Sequence, residues 1–281
     1  MLYADLHIHT KYSHGNNTPA EMYAKACSLG LRLVGFTEHS PRPKGFDYTH
    51  EYRDALTAML PTYVREVCAL RDNPQKGANQ EICQVLFGME MDWLEDEEDF
   101  ARASAKAFDF DYLLGSVHFI GHWGFDDGVD PWLTASQEQC ETWYEDYFTA
   151  WEAMICSGLY AIAAHPDLIK IFSVDQFHIW LQKPQAQAQV GHALDCLRKQ
   201  GMAMEISSAG LRKRCHEIYP CEAIMAMAAS REIPITFASD AHGVNDIAYG
   251  FDILERYAAR FGYREHCAFQ HGKTRTFPFG E

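Results

Sequence analysis

Histidine and carboxylate residues recur at the ends of the short apolar segments of this chain. The first segment carries His7 and His9 two positions apart, and this spacing places both imidazoles on the same side of a β-strand. Residues of the same kind follow at His14, His39, Glu90, His118, His165, Asp240 and His242. Imidazoles and carboxylates without cysteine suit Zn²⁺, Mn²⁺ or Fe²⁺. The sequence therefore predicts a metal centre.

The size of this residue set indicates more than one ion. A single histidine at a strand end is more often a structural residue than a ligand, but seven histidines and two carboxylates on one rim would be costly to bury without a cation. Two or three divalent ions, bridged by a carboxylate and a water or hydroxide, would use all nine. Such a centre suits phosphoester hydrolysis, because the metals activate the attacking hydroxide and neutralise the phosphoryl oxygens.

Strands alternate with helices along nearly the whole sequence. Apolar, β-rich runs predict seven strands at 3–9, 33–37, 81–91, 112–118, 161–165, 203–206 and 235–239. A helical or helix-like pattern follows each of them, so we expect an α/β fold with a parallel sheet closed, or nearly closed, into a barrel. Six of these strands deliver a histidine or carboxylate at or just past the carboxyl end, where barrel active sites are built.

Local signals set several of the boundaries. Thr18, Pro19 and Glu21 predict a helix N-terminus with a capping box, and Gly30 predicts its end. Further helices are expected near 51–71, 96–107, 136–158, 185–200, 221–231 and 246–261. The Gly- and Asp-rich stretch 119–134 is too long for a plain connection and is predicted to be an active-site loop.

Composition excludes several functional classes. With 24 Lys+Arg and 39 Asp+Glu the net charge is 24 − 39 = −15, which argues against a general nucleic-acid binder and against binding to an anionic membrane. The sequence has no signal-peptide pattern and no apolar run of about 18 residues. Nine scattered cysteines without a CxxC pair suit reduced thiols. We expect one domain over 1–281, soluble and cytoplasmic.

The other histidines have no strand-end context: 50, 122, 178, 192, 216, 266 and 271. Surface or packing roles are expected for His192 and His271, whereas His122 and His216 lie in loops that could border the site. The aromatic residues from Trp143 to Trp151 have helical spacing and predict a buried helix face.

The motifs DLHIHT, TEH, GME, SVH, AHPD and SDAH, in this order, resemble the PHP (polymerase and histidinol phosphatase) superfamily. The segments GFTEHSPRP at 35–43, HPDLIKIF at 165–172 and EISSAGLRKRCHEIYP at 205–220 resemble the PHP-type histidinol-phosphate phosphatases within it. The resemblance extends from Asp5 to about Phe251. It implies a distorted seven-stranded (β/α)7 barrel, TIM-like, with a trinuclear metal site on the carboxyl rim.

The resemblance also implies how the ligands divide. One ion would take His7, His9, Glu90 and Asp240, and Glu90 would bridge to a second ion held by His118 and His165. The third ion would take His14, His39 and His242. His14 stands where many members have Asp, and Ser207-Ser208 stands where the family often has Asn-Thr.

Three basic residues are candidates for binding the substrate phosphate. Arg212 in the AGLRK motif resembles the family's phosphate-binding residue, and a guanidinium there makes bidentate contacts to phosphoryl oxygens. Lys213 and Arg42 are further candidates. A metal-bound water, Asp240 or His242 would protonate the leaving group, and the sequence does not distinguish among them.

These observations predict a metal-dependent phosphomonoesterase that hydrolyses L-histidinol phosphate to L-histidinol and phosphate in histidine biosynthesis. A metal-bound hydroxide would attack phosphorus. One alternative is a PHP phosphoesterase acting on another small phosphate ester or a nucleotide. A second is a non-catalytic metal-binding module, which the complete ligand set disfavours. An exonuclease is disfavoured by the net charge and by the absence of a basic stretch interleaved with aromatic residues.

Overall fold

Twelve strands are present in the computed structural model, which describes residues 4–49, 53–270 and 273–279. They are β1 (Ala4–Ile8), β2 (Leu33–Phe36), β3 (Gln75–Lys76), β4 (Ile82–Asp92), β5 (Tyr112–Ser116), β6 (Phe119–Ile120), β7 (Trp123–Gly124), β8 (Ile162–Ala163), β9 (Ala203–Ser207), β10 (Ile235–Ala238), β11 (Glu265–Gln270) and β12 (Lys273–Pro278).

Nine α-helices connect or follow these strands within the described residues. They are α1 (Pro19–Ser28), α2 (Arg53–Asp72), α3 (Glu98–Ser104), α4 (Asp130–Thr134), α5 (Gln137–Cys156), α6 (Val174–Leu181), α7 (Pro184–Gln200), α8 (Glu222–Ala229) and α9 (Phe251–Arg260). Two 3₁₀ turns lie at Leu168–Phe172 and Ala209–Arg212. Over these residues, no helix combines the length and the apolar character needed to cross a bilayer.

Seven parallel strands form a nearly closed barrel. The neighbours follow the order β1-β2-β4-β5-β8-β9-β10, and each strand of the series is followed by at least one helix. The ring closes at its carboxyl end, where the His9 amide donates to the Ala241 carbonyl at 2.9 Å and the Ala241 amide donates to the His7 carbonyl at 3.2 Å. The predicted (β/α)7 barrel is confirmed.

Most predicted elements are present, with shifted ends. Thr18 and Glu21 form the predicted capping box, and the aromatic face of α5 is buried in the core between barrel and helices. The predicted strand at 161–165 is reduced to β8. The helix predicted from 246 begins only at Phe251, because Ala248 and Gly250 adopt left-handed backbone angles. Residues 119–134 form a β6–β7 hairpin and α4. Tyr3, His50, Glu51 and His271 lie outside the described residues.

The amino-terminal half of the barrel interior is apolar, and the sequence predicted the strands that line it but not the segment that covers it. Ala4, Leu33, Leu86, Leu114 and Ile162 share one buried cluster with residues from the β11–β12 hairpin, which covers the amino-terminal end of the barrel. That hairpin was not predicted. It removes the lower half of the barrel from water, so polar chemistry is confined to the carboxyl rim.

A register shift in β1 aims the two histidines into the barrel. Pairing between β1 and β2 changes register between Asp5 and Ile8, as at a β-bulge. Ile8 packs in the outer core, whereas His7 contacts Glu90 on β4 and Glu205 on β9. Neither strand is adjacent to β1, so these contacts cross the barrel interior.

Tyr112 fills the middle of the barrel and requires glycine on β2. Its hydroxyl donates to the Leu6 carbonyl at 2.7 Å, and a Cβ added to Gly35 would lie 1.9 Å from the Tyr112 hydroxyl oxygen. A methyl group at residue 35 would therefore displace the ring or the strand.

We expect Gly35→Ala to lower the free energy of unfolding by about 1–3 kcal/mol, the range typical of overpacked cores. Denaturant titration followed by circular dichroism measures this difference. Gly128→Ala is the matched control, because a Cβ there meets no atom within 4 Å; it should change the free energy by less than about 0.5 kcal/mol. Equal stability of the two variants would contradict the packing argument.

Candidate metal centre

Glu90, on β4, lies at the centre of the histidine cluster. Its carboxylate is 1% exposed, and five imidazole nitrogens surround it. The nitrogens of His7, His9 and His39 lie 3.2, 3.2 and 3.0 Å from Oε2, and those of His118 and His165 lie 3.5 and 2.9 Å from Oε1. The two oxygens of one buried carboxylate therefore face two separate groups of imidazoles.

Asp240 approaches the first of these groups from the segment after β10. Its backbone φ is 50°, in the left-handed region that aspartate tolerates better than most residues. Its Oδ1 lies 3.3 Å from His9 Nε2, 3.8 Å from His7 Nε2 and 3.4 Å from His242 Nδ1. This turn brings a second carboxylate onto the histidine pair of β1.

His14, His39 and His242 form a stacked group at the outer side of the rim. The ring centroid of His14 lies 4.2 Å from that of His242 and 5.0 Å from that of His39. Burial, and then the nearby His9, lowers the pKa of all three, to about 4 for His14. The three imidazoles are therefore neutral at pH 7, which is the form that binds metals.

The cluster has the polar arrangement that a cation requires. The Nε2 atoms of His7 and His9 face each other at 3.0 Å, and the buried Nε2 of His242 has no hydrogen-bond partner. Although burial opposes ionisation, the surrounding imidazoles hold the pKa of Glu90 well below its usual range. Metal-capable atoms lie within 4.8 Å of one another in three sets: His7/His9/Asp240, His39/Glu90/His118 and His9/His39/His242. These residues can hold metal.

The structure brings all nine predicted ligands to one rim. His39 belongs to two of the three compact sets, one with Glu90 and His118 and one with His242. The sets therefore do not match the assignment of ligands to three separate ions that the family resemblance implies. That division stays a prediction.

A second layer of carboxylates, which the sequence analysis missed, holds the ligand rings. Glu205 accepts from His7 Nδ1 at 2.8 Å, Asp92 from His118 Nδ1 at 2.5 Å, and Glu38 lies 3.3 Å from His9 Nδ1. Such contacts fix the ring orientation and leave Nε2 free for a metal. Glu205 lies on β9, the one predicted strand to which no ligand was assigned. Glu38 directly precedes the predicted ligand His39, and Asp92 lies two residues after Glu90.

A cavity of about 300 Å³ opens above the cluster. Ligands from His14 to His242 form its floor, and the walls carry Lys213, Tyr48, Asp126, Asp127 and the apolar Leu168 and Ile171. The Tyr48 hydroxyl donates to Asp126 at 3.2 Å, whereas Asp127 accepts from the backbone amide of Thr49 at 2.7 Å. Asp126 and Asp127 belong to the stretch predicted to be an active-site loop.

The basic candidates occupy three different environments. Lys213 lines the cavity. Arg212 lies beside it, donates to the carbonyls of Ser239 and Asp240, and pairs with Asp246 at 2.9 Å. The Arg42 guanidinium is buried below the rim: its Nε donates to the Phe46 carbonyl, and it lies 3.8 Å from Asp92. Contact of Arg212 or Arg42 with phosphate stays a prediction, and for Arg42 it would require this buried pair to open.

This chain is similar to known proteins along most of its length. A family model described as PHP domain matches residues 5–209. The chain belongs to the PHP domain family. A probable histidinol-phosphatase of Deinococcus radiodurans is 34% identical over 88% of this chain and 89% of its own length, and the histidinol-phosphatase of Bacillus subtilis is 26% identical over 90% and 98%. The resemblance to PHP-type histidinol-phosphate phosphatases is confirmed.

Solved structures show the same PHP barrel. A histidinol phosphate phosphatase from Lactococcus lactis, complexed with zinc, L-histidinol and phosphate, superposes with a TM-score of 0.77 at 19% identity over 97% of this chain and 98% of that one. A second structure, from Listeria monocytogenes, gives a TM-score of 0.73 at 23% identity over 89% of this chain and 99% of that one. At these identities the likeness concerns the fold.

Glu90→Gln should lose bound metal and catalytic activity together, because an amide cannot replace the negative charge that faces both groups of imidazoles. Metal per chain by plasma mass spectrometry and phosphate release measure the two effects. A fully metallated, active variant would contradict the central role of Glu90.

Glu205→Gln provides a graded comparison. Glutamine still accepts from His7 but lacks the charge, so we expect metal affinity to fall by about 10–100-fold, the range typical of outer-layer partners. Excess metal in the assay should restore most of the activity of this variant and none of that of Glu90→Gln. If excess metal restored the activity of both variants equally, the distinction between the metal-ligating residues and the carboxylates behind them would be refuted.

Proposed function

We propose that this chain hydrolyses L-histidinol phosphate to L-histidinol and phosphate, using two or three divalent ions drawn from zinc, manganese and iron. The main support for this proposal is the position of the Glu90 carboxylate, which lies between two groups of imidazoles at the floor of an open cavity. The histidinol-phosphatase names of the PHP relatives support the substrate. The nine rim residues are the proposed ligands.

Bound divalent ions would lower the pKa of a coordinated water and neutralise phosphoryl oxygens. The protein's own part is to hold these ions and to move protons. Burial opposes the ionisation of Asp240. Nearby imidazoles nevertheless keep the pKa of Asp240 well below its usual range, so Asp240 is ionised. Asp240 lines the cavity and can accept the proton of the attacking water and return it to the leaving alkoxide. His242, whose Nδ1 lies 3.4 Å from Asp240 Oδ1, is the alternative: its neutral imidazole would take the proton of the attacking water and then pass it to the leaving alkoxide.

Lys213 and Arg212 divide the recognition of phosphate. The Lys213 ammonium lines the cavity and supplies a positive charge to the phosphoryl group. Arg212 lies against the Ser239 and Asp240 carbonyls, and its buried Nε has no partner, so the guanidinium can add a contact while holding the Asp240 turn.

The cavity wall also carries a carboxylate, Asp126, that suits the positive end of the substrate. Histidinol phosphate carries an ammonium group as well as a phosphate. Asp126 is partly buried, receives the Tyr48 hydroxyl, and burial raises the pKa of its carboxyl group. A cationic partner would stabilise its ionised form. Asp126 is thus the proposed partner of the substrate ammonium.

The test of the function is steady-state phosphate release from histidinol phosphate, nucleotides and other small phosphate esters, using protein of measured metal content. The kcat/KM for histidinol phosphate should exceed that for every other ester in the panel. A preference for nucleotides would overturn the assignment.

Asp126→Asn should lower kcat/KM for histidinol phosphate by about tenfold or more, because a charge-assisted contact contributes about 1.5–3 kcal/mol. The rate with p-nitrophenyl phosphate, which has no ammonium group, should change little. Asp127→Asn is the matched control, since Asp127 is bound to Thr49. Equal losses on both esters would remove Asp126 from substrate recognition.

Arg212→Ala should raise KM and lower kcat together, because the guanidinium would contact the phosphate both in the bound substrate and as charge builds in the transition state. Metal content should stay unchanged, since Arg212 contacts backbone carbonyls and no ligand side chain. Lys213→Ala should act mainly on KM. Full activity of Arg212→Ala would refute its role in phosphate recognition.

A further inference from the structure

A line of polar contacts joins the outer faces of α5 and α7, which run parallel. Successive contacts are Glu141 with Lys183 at 2.6 Å, the Glu145 carbonyl with Gln189 at 2.8 Å, and Glu152 with His192 at 2.8 Å. One turn further along, the next pair is Cys156 and Cys196. The earlier turns of the two helices thus pair oppositely charged or hydrogen-bonding groups, whereas this turn pairs two thiols.

The last two pairs bring metal-capable atoms together. Glu152 and Cys156 are four residues apart on α5, and His192 and Cys196 are four residues apart on α7, so each pair shares one helix face. The ligand atoms of Glu152, Cys156 and Cys196 lie within 4.8 Å of one another. Cys156 is exposed and the other two are partly buried, so the group is accessible from solvent.

The donor set differs in kind from that of the catalytic rim. Two thiolates and a carboxylate select zinc among the common divalent ions, because the thiolate is a soft ligand. His192 Nδ1 contacts Glu152 Oε1 and so orients the carboxylate, as outer-layer partners do at metal sites. Cys156 is the last residue of α5, and Cys196 lies one turn before the end of α7. Both helix ends carry partial negative charge that attracts a cation.

We propose that Glu152, Cys156 and Cys196 form a second zinc site that joins α5 to α7, with His192 as a positioning residue. None of the four residues lines the catalytic cavity. The site is independent of phosphate hydrolysis and acts on the attachment of the two helices to each other.

A redox pair is the competing role for two adjacent thiols, and the surroundings do not favour it. Burial, the contact with Cys156 and the nearby Glu152 raise the pKa of the Cys196 thiol to about 11. Thiols that respond to oxidants have a lowered pKa. A cation instead displaces the thiol protons and binds the thiolates.

Cobalt substitution tests the proposal on the full chain under a phosphine reductant. Cobalt bound by thiolate gives a near-ultraviolet charge-transfer band, and the proposed catalytic ligands include no cysteine. Wild-type protein titrated with Co²⁺ should develop this band to an intensity that corresponds to one thiolate-bound cobalt per chain, in addition to the cobalt taken up by the catalytic rim, and zinc should displace it. The band should vanish in Cys156→Ser and Cys196→Ser, while kcat/KM for histidinol phosphate in zinc-loaded protein stays unchanged.

Two further variants sharpen the test. Cys68→Ser, on α2, should keep the band. His192→Ala should keep it too, with cobalt binding weakened by about 10–100-fold. A wild-type protein without the band, or a Cys156→Ser variant that retains it, would overturn the proposal. The proposed catalytic function has a separate test, because the band does not depend on phosphate release.

Discussion

Concentrated charge within the barrel rim is the constraint on which this structure depends. Glu90 and Asp240 are ionised among seven imidazoles. Glu90 and five of the imidazoles are buried, whereas His14, Asp240 and His242 face the open cavity. Burial of so many polar atoms is costly unless each finds a partner. In the protein alone the partners are one another, including two imidazole Nε2 atoms facing each other at 3.0 Å. Cations would replace these contacts with ligand bonds, which would link the binding of metal to the stability of the rim.

The remainder of the barrel serves to hold that rim in place. Below it, Tyr112 fills the centre against Gly35, and the β11–β12 hairpin covers the opposite end. Behind it, Glu205, Asp92 and Glu38 fix the imidazole rings. Arg42 in turn lies near Asp92, and Arg212 holds the turn that carries Asp240. His7, His9, His118 and Asp240 are therefore each supported by a contact from another part of the fold, which limits the movement of these ligand atoms.

Much of this arrangement was predictable because it follows short-range rules. Parallel strands that alternate with helices place their carboxyl ends together, so residues at strand ends converge whatever the details of the fold. Side-chain contacts between strands on opposite sides of the barrel cannot be predicted by such a rule. Glu205 meets His7 198 residues away, and the register shift that aims His7 has no mark in the local pattern. The β11–β12 hairpin was missed because its strands follow the last helix, outside the strand–helix alternation used to recognise the barrel.

The acidic character of the chain changes how the proposed chemistry must proceed. The net charge is −15, and the cavity adds Asp126 and Asp127 to the carboxylates of its floor. In the metal-free protein burial opposes the protonation of His7, His9 and His118, but the neighbouring carboxylates raise the pKa of all three, so these imidazoles carry protons that metal binding displaces. Lys213 by itself does not offset the carboxylates of the cavity, so bound ions would have to supply the positive charge at the rim. Two or three divalent ions would add roughly +4 to +6 at the rim and reverse the local field. In the proposed mechanism the cations would thus admit the substrate as well as activate water. The acidic wall would then serve a different purpose, because it would orient a molecule that is anionic at one end and cationic at the other.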